Sequence, residues 1–227
     1  MIPVRDELPT RRFPIVTVAL IGLNGIIFFY QILGGLSSEA FFFRVGLVPA
    51  FLWGKVHPLQ GSFPPFLTLF TSQFVHGNFP HLFFNMLYLW IFGNNVEDFL
   101  GHVHFLFFYL VCGLVAGLLH AGIFLDSLTP TVGASGAIAG VMGGYLILFP
   151  YARVIVMVFW GFFVQFVRVS AVTLLGFWVF LQVVYALFSL AAPTYGGVAW
   201  FAHLGGFIVG VLWSKIVSAF FYRRIYW

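Results

Sequence analysis

The segment TVGASGAIAG places a serine between glycines at the start of a long apolar run. Gly133 and Gly136 lie on either side of Ser135, and Gly140 and Gly144 follow at four-residue spacing. The first N–H groups of a helix lack intrahelical partners and carry partial positive charge. A hydroxyl that attacks a carbonyl there has backbone donors beside it for the resulting oxyanion. A serine that only caps the helix, with glycines for helix packing, is the alternative reading.

A histidine in the last apolar run could serve as the base. His203 lies in FAHLGGFIVG, where Gly206 and Gly210 repeat the small-residue spacing. Such faces let helix backbones approach closely, which would bring Ser135 within hydrogen-bond reach of His203. Counting along each helix to the first basic residue puts both side chains in the same half of the membrane. An imidazole is the usual base for a serine. A histidine that only packs is the alternative.

The segment HLFFN places a histidine and an asparagine four residues apart, on one helix face. His81 and Asn85 could donate hydrogen bonds to a developing oxyanion, together with backbone N–H groups near Gly133. Alternatively, they are an interfacial histidine and a helix–helix contact. A metal site built on His76 and His81 is disfavoured because no cysteine or acid lies near them in the sequence.

The acidic residues limit the chemistry. No aspartate or glutamate falls inside a predicted span, since Glu97, Asp98 and Asp126 lie at span ends. This excludes a paired-aspartate protease and leaves a Ser-His dyad rather than a triad. The HExxH zinc-protease pattern is absent from the sequence, and the single cysteine, Cys112, is expected to be a buried packing residue. No metal or cofactor is expected.

The amino-acid composition indicates whether these segments are surrounded by water or by lipid. The chain of 227 residues is 62% hydrophobic and 7% charged, with a mean hydropathy of +1.05. Soluble domains carry about 25% charged residues, so most of this surface must face lipid. The net charge of +4 and pI of about 9.4 do not indicate nucleic-acid binding, because the basic residues are few and dispersed.

Long apolar runs predict an all-α bundle of six membrane-spanning helices, since lipid requires every backbone polar group to be paired internally. The predicted spans are Ile15–Leu33, His81–Gly93 with a few residues on either side, His104–Leu125, Ser135–Pro150, Val172–Leu190 and Ala199–Ala219.

The lysines and arginines predict the orientation of the six spans. Most of them precede span 1, lie between spans 4 and 5, or follow span 6, and only Arg44 and Lys55 fall on the other side. Both termini are therefore predicted to be cytoplasmic, and the whole chain, residues 1–227, is predicted to form one domain.

Two connections are unusually apolar. Residues 34–78 are rich in phenylalanine and proline and are expected to lie in the outer membrane interface as short amphipathic pieces. Residues 151–170 are apolar between Arg153 and Arg168. We expect a hairpin or interfacial segment on the cytoplasmic side; a seventh span is the alternative, but it would send the C-terminal arginines outside.

Three motifs in this order resemble the rhomboid family of intramembrane serine proteases. The matching segments are HLFFN (81–85), GASG (133–136) and AHLGGFIVG (202–210), and the resemblance extends over essentially the whole chain, including IPVRD near the start. It implies hydrolysis of peptide bonds within the membrane.

Carried over residue by residue, the resemblance makes Ser135 the nucleophile and His203 the general base and acid. His81, Asn85 and backbone N–H groups near Gly133 and Ser135 would stabilise the oxyanion. His76 matches an additional family histidine with a structural role. Asn24 and Gln182 are interpreted as helix–helix contacts, and His102, His104 and His120 receive no chemical role.

The sequence departs from the family pattern twice. Leu67–Thr68 stands where many relatives have Trp-Arg in the first outer loop. Ala139 stands where some relatives have a tyrosine that stacks on the histidine. Either another aromatic residue from span 5 or 6 orients the ring, or the base is less constrained than in those relatives.

The expected partners are membrane-protein substrates and the bilayer, most simply in a bacterial cell membrane. A substrate helix would enter from lipid past a gate formed by Trp178 and Tyr185 of span 5 and Phe84 of span 2. A catalytically dead rhomboid-like client binder is the rival within this fold, and a small transporter is the rival from another class. The first typically lacks the serine or histidine, and neither repeated polar sites nor an inverted repeat supports the second.

Overall fold

A computed structural model describes residues 2–36, 38–191 and 198–225. Among these residues the chain is mostly helical, with a small antiparallel sheet. The elements in chain order are β1 (Ile2–Asp6), α1 (Ile15–Leu33), α2 (Glu39–Val45), α3 (Pro49–Leu52), α4 (Thr68–Thr71), a 3₁₀ turn (Ser72–Phe74), α5 (Phe79–Leu100), α6 (His102–Ile123), α7 (Ser135–Leu148), β2 (Arg153–Trp160), β3 (Phe163–Ser170), α8 (Ala171–Ala191) and α9 (Trp200–Ile225).

Each predicted span coincides with one long helix, with ends shifted by a few residues. Four of these helices, α1, α6, α8 and α9, are long and apolar enough to cross a membrane. Helix α7 is apolar but has only 14 residues, about 21 Å of rise, and α5 carries asparagines and acids near its C-terminal end. The structure therefore supports an integral membrane protein, and the count of six spans stays a prediction.

Glycines bring α7 and α9 together at the centre of the bundle. A Cβ at Gly206 would overlap the carbonyl oxygen of Gly136, and one at Gly210 would overlap the carbonyl oxygen of Gly140. Gly140 in turn faces Cys112 of α6, which is fully buried. These backbones pack closer than any residue with a side chain allows, as the small-residue spacing predicts.

The expectation of an all-α chain is wrong, because the segment between α7 and α8 forms a β-hairpin. Strands β2 and β3 pair antiparallel over their full lengths, and β1 pairs antiparallel with the other edge of β2. This confirms the hairpin expected over 151–170 and excludes a helical seventh span there. Val154 and Val156 of β2 are fully buried, so alternate residues in the first half of this strand pack into the core.

The loop before α5 contains the expected short helical pieces. It is joined to the segment before Ser135 by paired backbone hydrogen bonds between Leu47 and Thr131 of 3.0 and 2.8 Å. Trp53 Nε1 donates to the carbonyl of Ala121 at 2.8 Å. The loop thus packs against the same end of the bundle as the start of α7. Its position in a membrane interface stays a prediction.

The opposite end of the bundle carries a buried carboxylate that caps α1. Pro14 provides no side-chain cap, and Glu97 of α5 instead accepts the N–H groups of Val16 at 2.9 Å and Thr17 at 2.7 Å. Glu97 is fully buried and is also paired with His102 Nδ1. A carboxylate at a helix N-terminus is favourable, so this contact holds α1 against α5.

Candidate active site

Helix α7 begins at Ser135 without a side-chain cap. The N-cap residue is Ala134, with φ −71° and ψ −6°, so the alternative interpretation of Ser135 as a capping serine is wrong. The side chain of Ser135 is therefore free to bond elsewhere, and it lies beside the first N–H groups of the helix, which point away from the helix body.

The structure brings the side chain of Ser135 to that of His203 in α9. His203 Nε2 lies 2.8 Å from Ser135 Oγ. The close packing of α7 and α9 at Gly136 and Gly206 makes this contact possible. Gly136 directly follows Ser135, and Gly206 lies one helical turn after His203. His203 is only 9% exposed, and Ser135 is half-buried.

Sequence reasoning missed the second partner of the imidazole. His203 Nδ1 lies 2.8 Å from Oε1 of Gln182, which comes from α8. The sequence analysis interprets Gln182 as a helix–helix contact, and the contact that it makes between α8 and α9 is with the histidine itself. One signal is available in the sequence: Gln182 is the only amide side chain in α8, a mostly apolar span.

Two tryptophans enclose the same ring. Trp178 of α8 has its ring centroid 6.0 Å from that of His203 at an interplanar angle of 33°, and Trp200 lies at 6.0 Å nearly edge-on, at 87°. Of the two alternatives for the tyrosine missing at Ala139, the structure favours the one in which aromatic residues from spans 5 and 6 lie beside the ring. Ala139 itself is fully buried in the core.

His81 and Gly133 lie in contact beside the serine. Gly133 has φ +119°, and a Cβ there would come within 2.7 Å of the imidazole of His81. Asn85, one turn further along α5, donates from Nδ2 to the carbonyl of His81 at 2.9 Å, which leaves its second amide hydrogen for another acceptor. Both side chains line the same cavity as Ser135.

The N–H of Gly133 is already used within the protein. It donates to the carbonyl of Ser72 at 2.8 Å. Because a backbone N–H has a single proton, the N–H of Gly133 is not available to an oxyanion in this structure. The expectation of backbone donors near Gly133 and Ser135 stays a prediction for the N–H groups at the start of α7. The contribution of Gly133 is steric: the positive φ and the absent side chain leave room for His81.

His76 lies behind this group and is fully buried. Its ring meets that of His81 edge-on, with centroids 5.1 Å apart, and its carbonyl accepts a hydrogen bond of 3.1 Å from Gln31 of α1. Burial, together with the neighbouring His81, lowers the pKa of His76 to about 3, so the ring is neutral. These contacts agree with the structural role that the resemblance implied.

A cavity of about 990 Å³ opens onto the serine and histidine. Phe84 of α5 and Trp178 of α8, two of the proposed gate residues, both line it. The third, Tyr185, instead stacks on Trp200 with centroids 4.7 Å apart. Tyr185 therefore braces the tryptophan beside His203.

The remaining polar residues of the sequence analysis have other surroundings. Asn24 donates to the carbonyl of Leu20 in its own helix, and Thr68 donates to the carbonyl of Pro65. His120 packs on Phe124 at the edge of the cavity, and His102 pairs with Glu97. Across the described ranges, no three histidine, cysteine or acidic side chains gather as metal ligands would.

The chain was compared with known proteins. The family model of the Rhomboid domain matches residues 65–220, which include all three motifs. Rhomboid protein 1, mitochondrial, of Saccharomyces cerevisiae is 32% identical over 67% of this chain and 42% of that protein. Rhomboid-like protein 11, chloroplastic, of Arabidopsis thaliana is 30% identical over 87% of this chain and 66% of that protein.

A shorter match, to Rhomboid protease GluP of Bacillus subtilis, is 40% identical over 34% of this chain and 15% of that protein. The chain thus spans about two fifths to two thirds of the length of the first two relatives. The matched domain holds the helix that starts at Ser135, the helix that carries His203 and the glycines that join them. The chain belongs to the rhomboid family.

Proposed function

We propose that this protein is an intramembrane serine endopeptidase that cleaves membrane-spanning segments of other membrane proteins. The observation that carries the proposal is the distance of 2.8 Å between Ser135 Oγ and His203 Nε2, inside a cavity of a membrane protein. Family membership and the printed name of the Bacillus subtilis relative, a rhomboid protease, point the same way.

The proposed reaction has two halves. His203 Nε2 takes the hydroxyl proton as Ser135 Oγ attacks the peptide carbonyl, and the negative charge passes to the carbonyl oxygen. The protonated imidazole then gives that proton to the leaving amine, which departs and leaves an acyl ester on Ser135. A water molecule, deprotonated by His203, attacks the ester, and the proton returns to Ser135 as the carboxylic acid leaves.

The oxyanion of each half would be stabilised by donors on two sides. His81 and Asn85 line the same cavity as His203, and the uncapped start of α7 would contribute the N–H of Ser135 and of the residues that follow. Gly133 belongs to this group as the residue that makes room for the ring of His81.

The proposed topology has six spans, α1 and α5–α9, within a single domain over residues 1–227 and with both termini cytoplasmic. The short helix α7 then begins part-way into the membrane, which places Ser135 below the surface yet open to water through the cavity. Substrates would enter from lipid between α5 and α8, past Phe84 and Trp178. Tyr185 would act by holding Trp200 in place.

The proposed partners are single-span or polytopic membrane proteins and the bilayer itself, with no nucleic acid and no metal. The names of two relatives refer to the mitochondrion and the chloroplast, and a third relative is bacterial. The similarity therefore does not favour the bacterial cell membrane of the sequence analysis, and the proposal is limited to an integral membrane protein.

Purified protein in liposomes, incubated with a single-span substrate, tests the proposal. Wild type is expected to cleave, whereas Ser135→Ala and His203→Ala are expected to lose cleavage while retaining the wild-type unfolding temperature. A fluorophosphonate, which reacts with activated serines, should label the wild type alone. A client binder would bind the substrate without cleavage or labelling, and cleavage by Ser135→Ala would rule out the serine mechanism.

A further inference from the structure

Gln182 has a contact that no role in the reaction scheme explains. Its side chain is buried, with 5% exposure, in a mostly apolar helix, and its Oε1 lies 2.8 Å from His203 Nδ1. Burying an amide in such surroundings is unfavourable unless it is hydrogen-bonded. The imidazole is its hydrogen-bond partner on the oxygen side.

The orientation of the amide is set by its other end. Gln182 Nε2 donates to the carbonyl of Trp178, one turn earlier in α8, at 3.4 Å. With the nitrogen directed to that carbonyl, the oxygen is the atom that faces the histidine. An amide oxygen can only accept a hydrogen bond, so His203 Nδ1 must be the donor.

This contact decides the tautomer of a neutral His203. When Nδ1 carries the proton, Nε2 carries a lone pair, and Nε2 is the atom that faces Ser135 Oγ at 2.8 Å. The hydroxyl must then donate to the ring, which is the arrangement that a general base requires. The opposite tautomer would present an N–H to the hydroxyl and an unpaired lone pair to the amide oxygen.

We propose that Gln182 is a positioning residue, a neutral third member that holds His203 in the base-competent tautomer and orientation. The inference rests on the proposed function, because it concerns the base of that reaction. The predicted pair of Ser135 and His203 thereby becomes a hydrogen-bonded chain of three side chains. These are Gln182 from α8, His203 from α9 and Ser135 from α7. The amide also accepts the hydrogen bond of the imidazolium during the reaction, without adding a charge.

The role differs from that of Trp178 and Trp200. The tryptophans limit where the ring plane can lie, but they have no acceptor aimed at Nδ1. Only the amide distinguishes the two ring nitrogens. A purely structural glutamine would affect packing, and it would leave the pH dependence of the base unchanged.

Two substitutions of similar volume separate these roles. Gln182→Met removes the acceptor and keeps the length of the side chain, whereas Gln182→Glu keeps an acceptor and adds a charge. Asn24→Leu serves as the control, because Asn24 is likewise buried and donates to the carbonyl four residues earlier, in α1 away from the cavity. All are measured in liposomes beside wild type and Ser135→Ala, with unfolding temperatures recorded.

We expect Gln182→Met to lower kcat on the order of tenfold or more with KM nearly unchanged, since it removes one hydrogen bond that acts on the base. The acidic limb of its pH–rate profile should move to lower pH, because the imidazolium loses an acceptor. Gln182→Glu should recover most of kcat and move that limb to higher pH, because a carboxylate stabilises the imidazolium.

An unchanged kcat and an unchanged pH–rate profile in Gln182→Met would overturn the inference. If the methionine variant does not fold, an unchanged acidic limb in Gln182→Glu would overturn it instead. An equal loss in Asn24→Leu would assign the effect to packing and would also overturn it. Failure of the proposed function looks different: wild type and Ser135→Ala would then be equally inactive.

Discussion

The hydroxyl of Tyr145 donates a hydrogen bond of 2.7 Å to Oδ2 of Asp6. This contact ties β1, the first strand of the chain, to the later part of α7, the helix that starts with Ser135. Asn95 of α5 donates to the same oxygen at 2.6 Å. The N-terminal strand therefore holds two helices of the site from the end of the bundle opposite the cavity.

Tyr145→Phe should destabilise the protein and leave its chemistry intact. The variant loses a partly buried hydrogen bond to a carboxyl group, which is worth up to about 1.5–3 kcal/mol, and it keeps the ring packed on Phe92. Thermal unfolding in detergent should show a lower midpoint, while kcat of the folded fraction stays close to wild type. A large loss of kcat would mean that β1 also shapes the site.

Asp6 should make stability depend on pH. Burial raises its pKa above the ordinary 3.8, against the hydrogen bond from Tyr145, which lowers it. The folded protein therefore binds this proton more tightly than the unfolded chain does. The resulting stabilisation is present below the unfolded pKa and is lost as pH rises through the folded value.

Asp6→Asn removes that titration and keeps an acceptor for Tyr145. As pH rises above the ordinary pKa of 3.8 and through the raised pKa of the folded state, the unfolding midpoint of the wild type should fall relative to that of Asp6→Asn. Parallel curves for the two proteins would show that Asp6 does not contribute to the pH dependence.

Gly206→Ala should separate the serine from its base. The added methyl group overlaps the carbonyl oxygen of Gly136, so α7 and α9 must move apart, at a cost of about 1–3 kcal/mol or more. Fluorophosphonate labelling of Ser135 should then drop steeply. Gly176→Ala in α8 is the matched control, because a Cβ there meets nothing within 4 Å, and its labelling and stability should match wild type.

Gly133→Ala should lose activity because the added methyl group displaces His81, and Gly101→Ala serves as the control that lacks this contact. Both glycines have positive φ, +119° and +79°, so both variants gain backbone strain of about 1–3 kcal/mol. Only at Gly133 does the new Cβ meet a side chain, the imidazole of His81. We expect kcat to fall at least tenfold in Gly133→Ala alone, and equal losses in both variants would assign the effect to general destabilisation.

Phe84→Ala tests the gate. Phe84 is 41% exposed and lines the cavity, as Trp178 does. Its removal should raise kcat/KM for a single-span substrate, because the lateral opening widens, and leave the labelling rate of a small fluorophosphonate unchanged. A parallel rise in both rates would contradict a gate that acts only on helical substrates.

The local pattern of the sequence determined most of the helices and the candidate residues. Apolar runs that must pair their own backbone groups in lipid define α1 and α5–α9 to within a few residues, since helix formation depends on neighbours in the chain. The glycine spacing around Ser135 and His203 likewise predicts close contact between helices. Residues four apart lie on the same face of a helix, and this follows from the local sequence alone. The family motifs follow from the same residues.

Only the tertiary structure decided which atoms meet. The run 151–170 is apolar enough for a helix or a strand. It forms strands, and the first of them pairs with β1 from the N-terminal end of the chain. The N–H of Gly133 is taken by Ser72, and Gln182 reaches His203, through contacts between segments distant in sequence. Such contacts depend on how helices are rotated against one another, which periodicity leaves open.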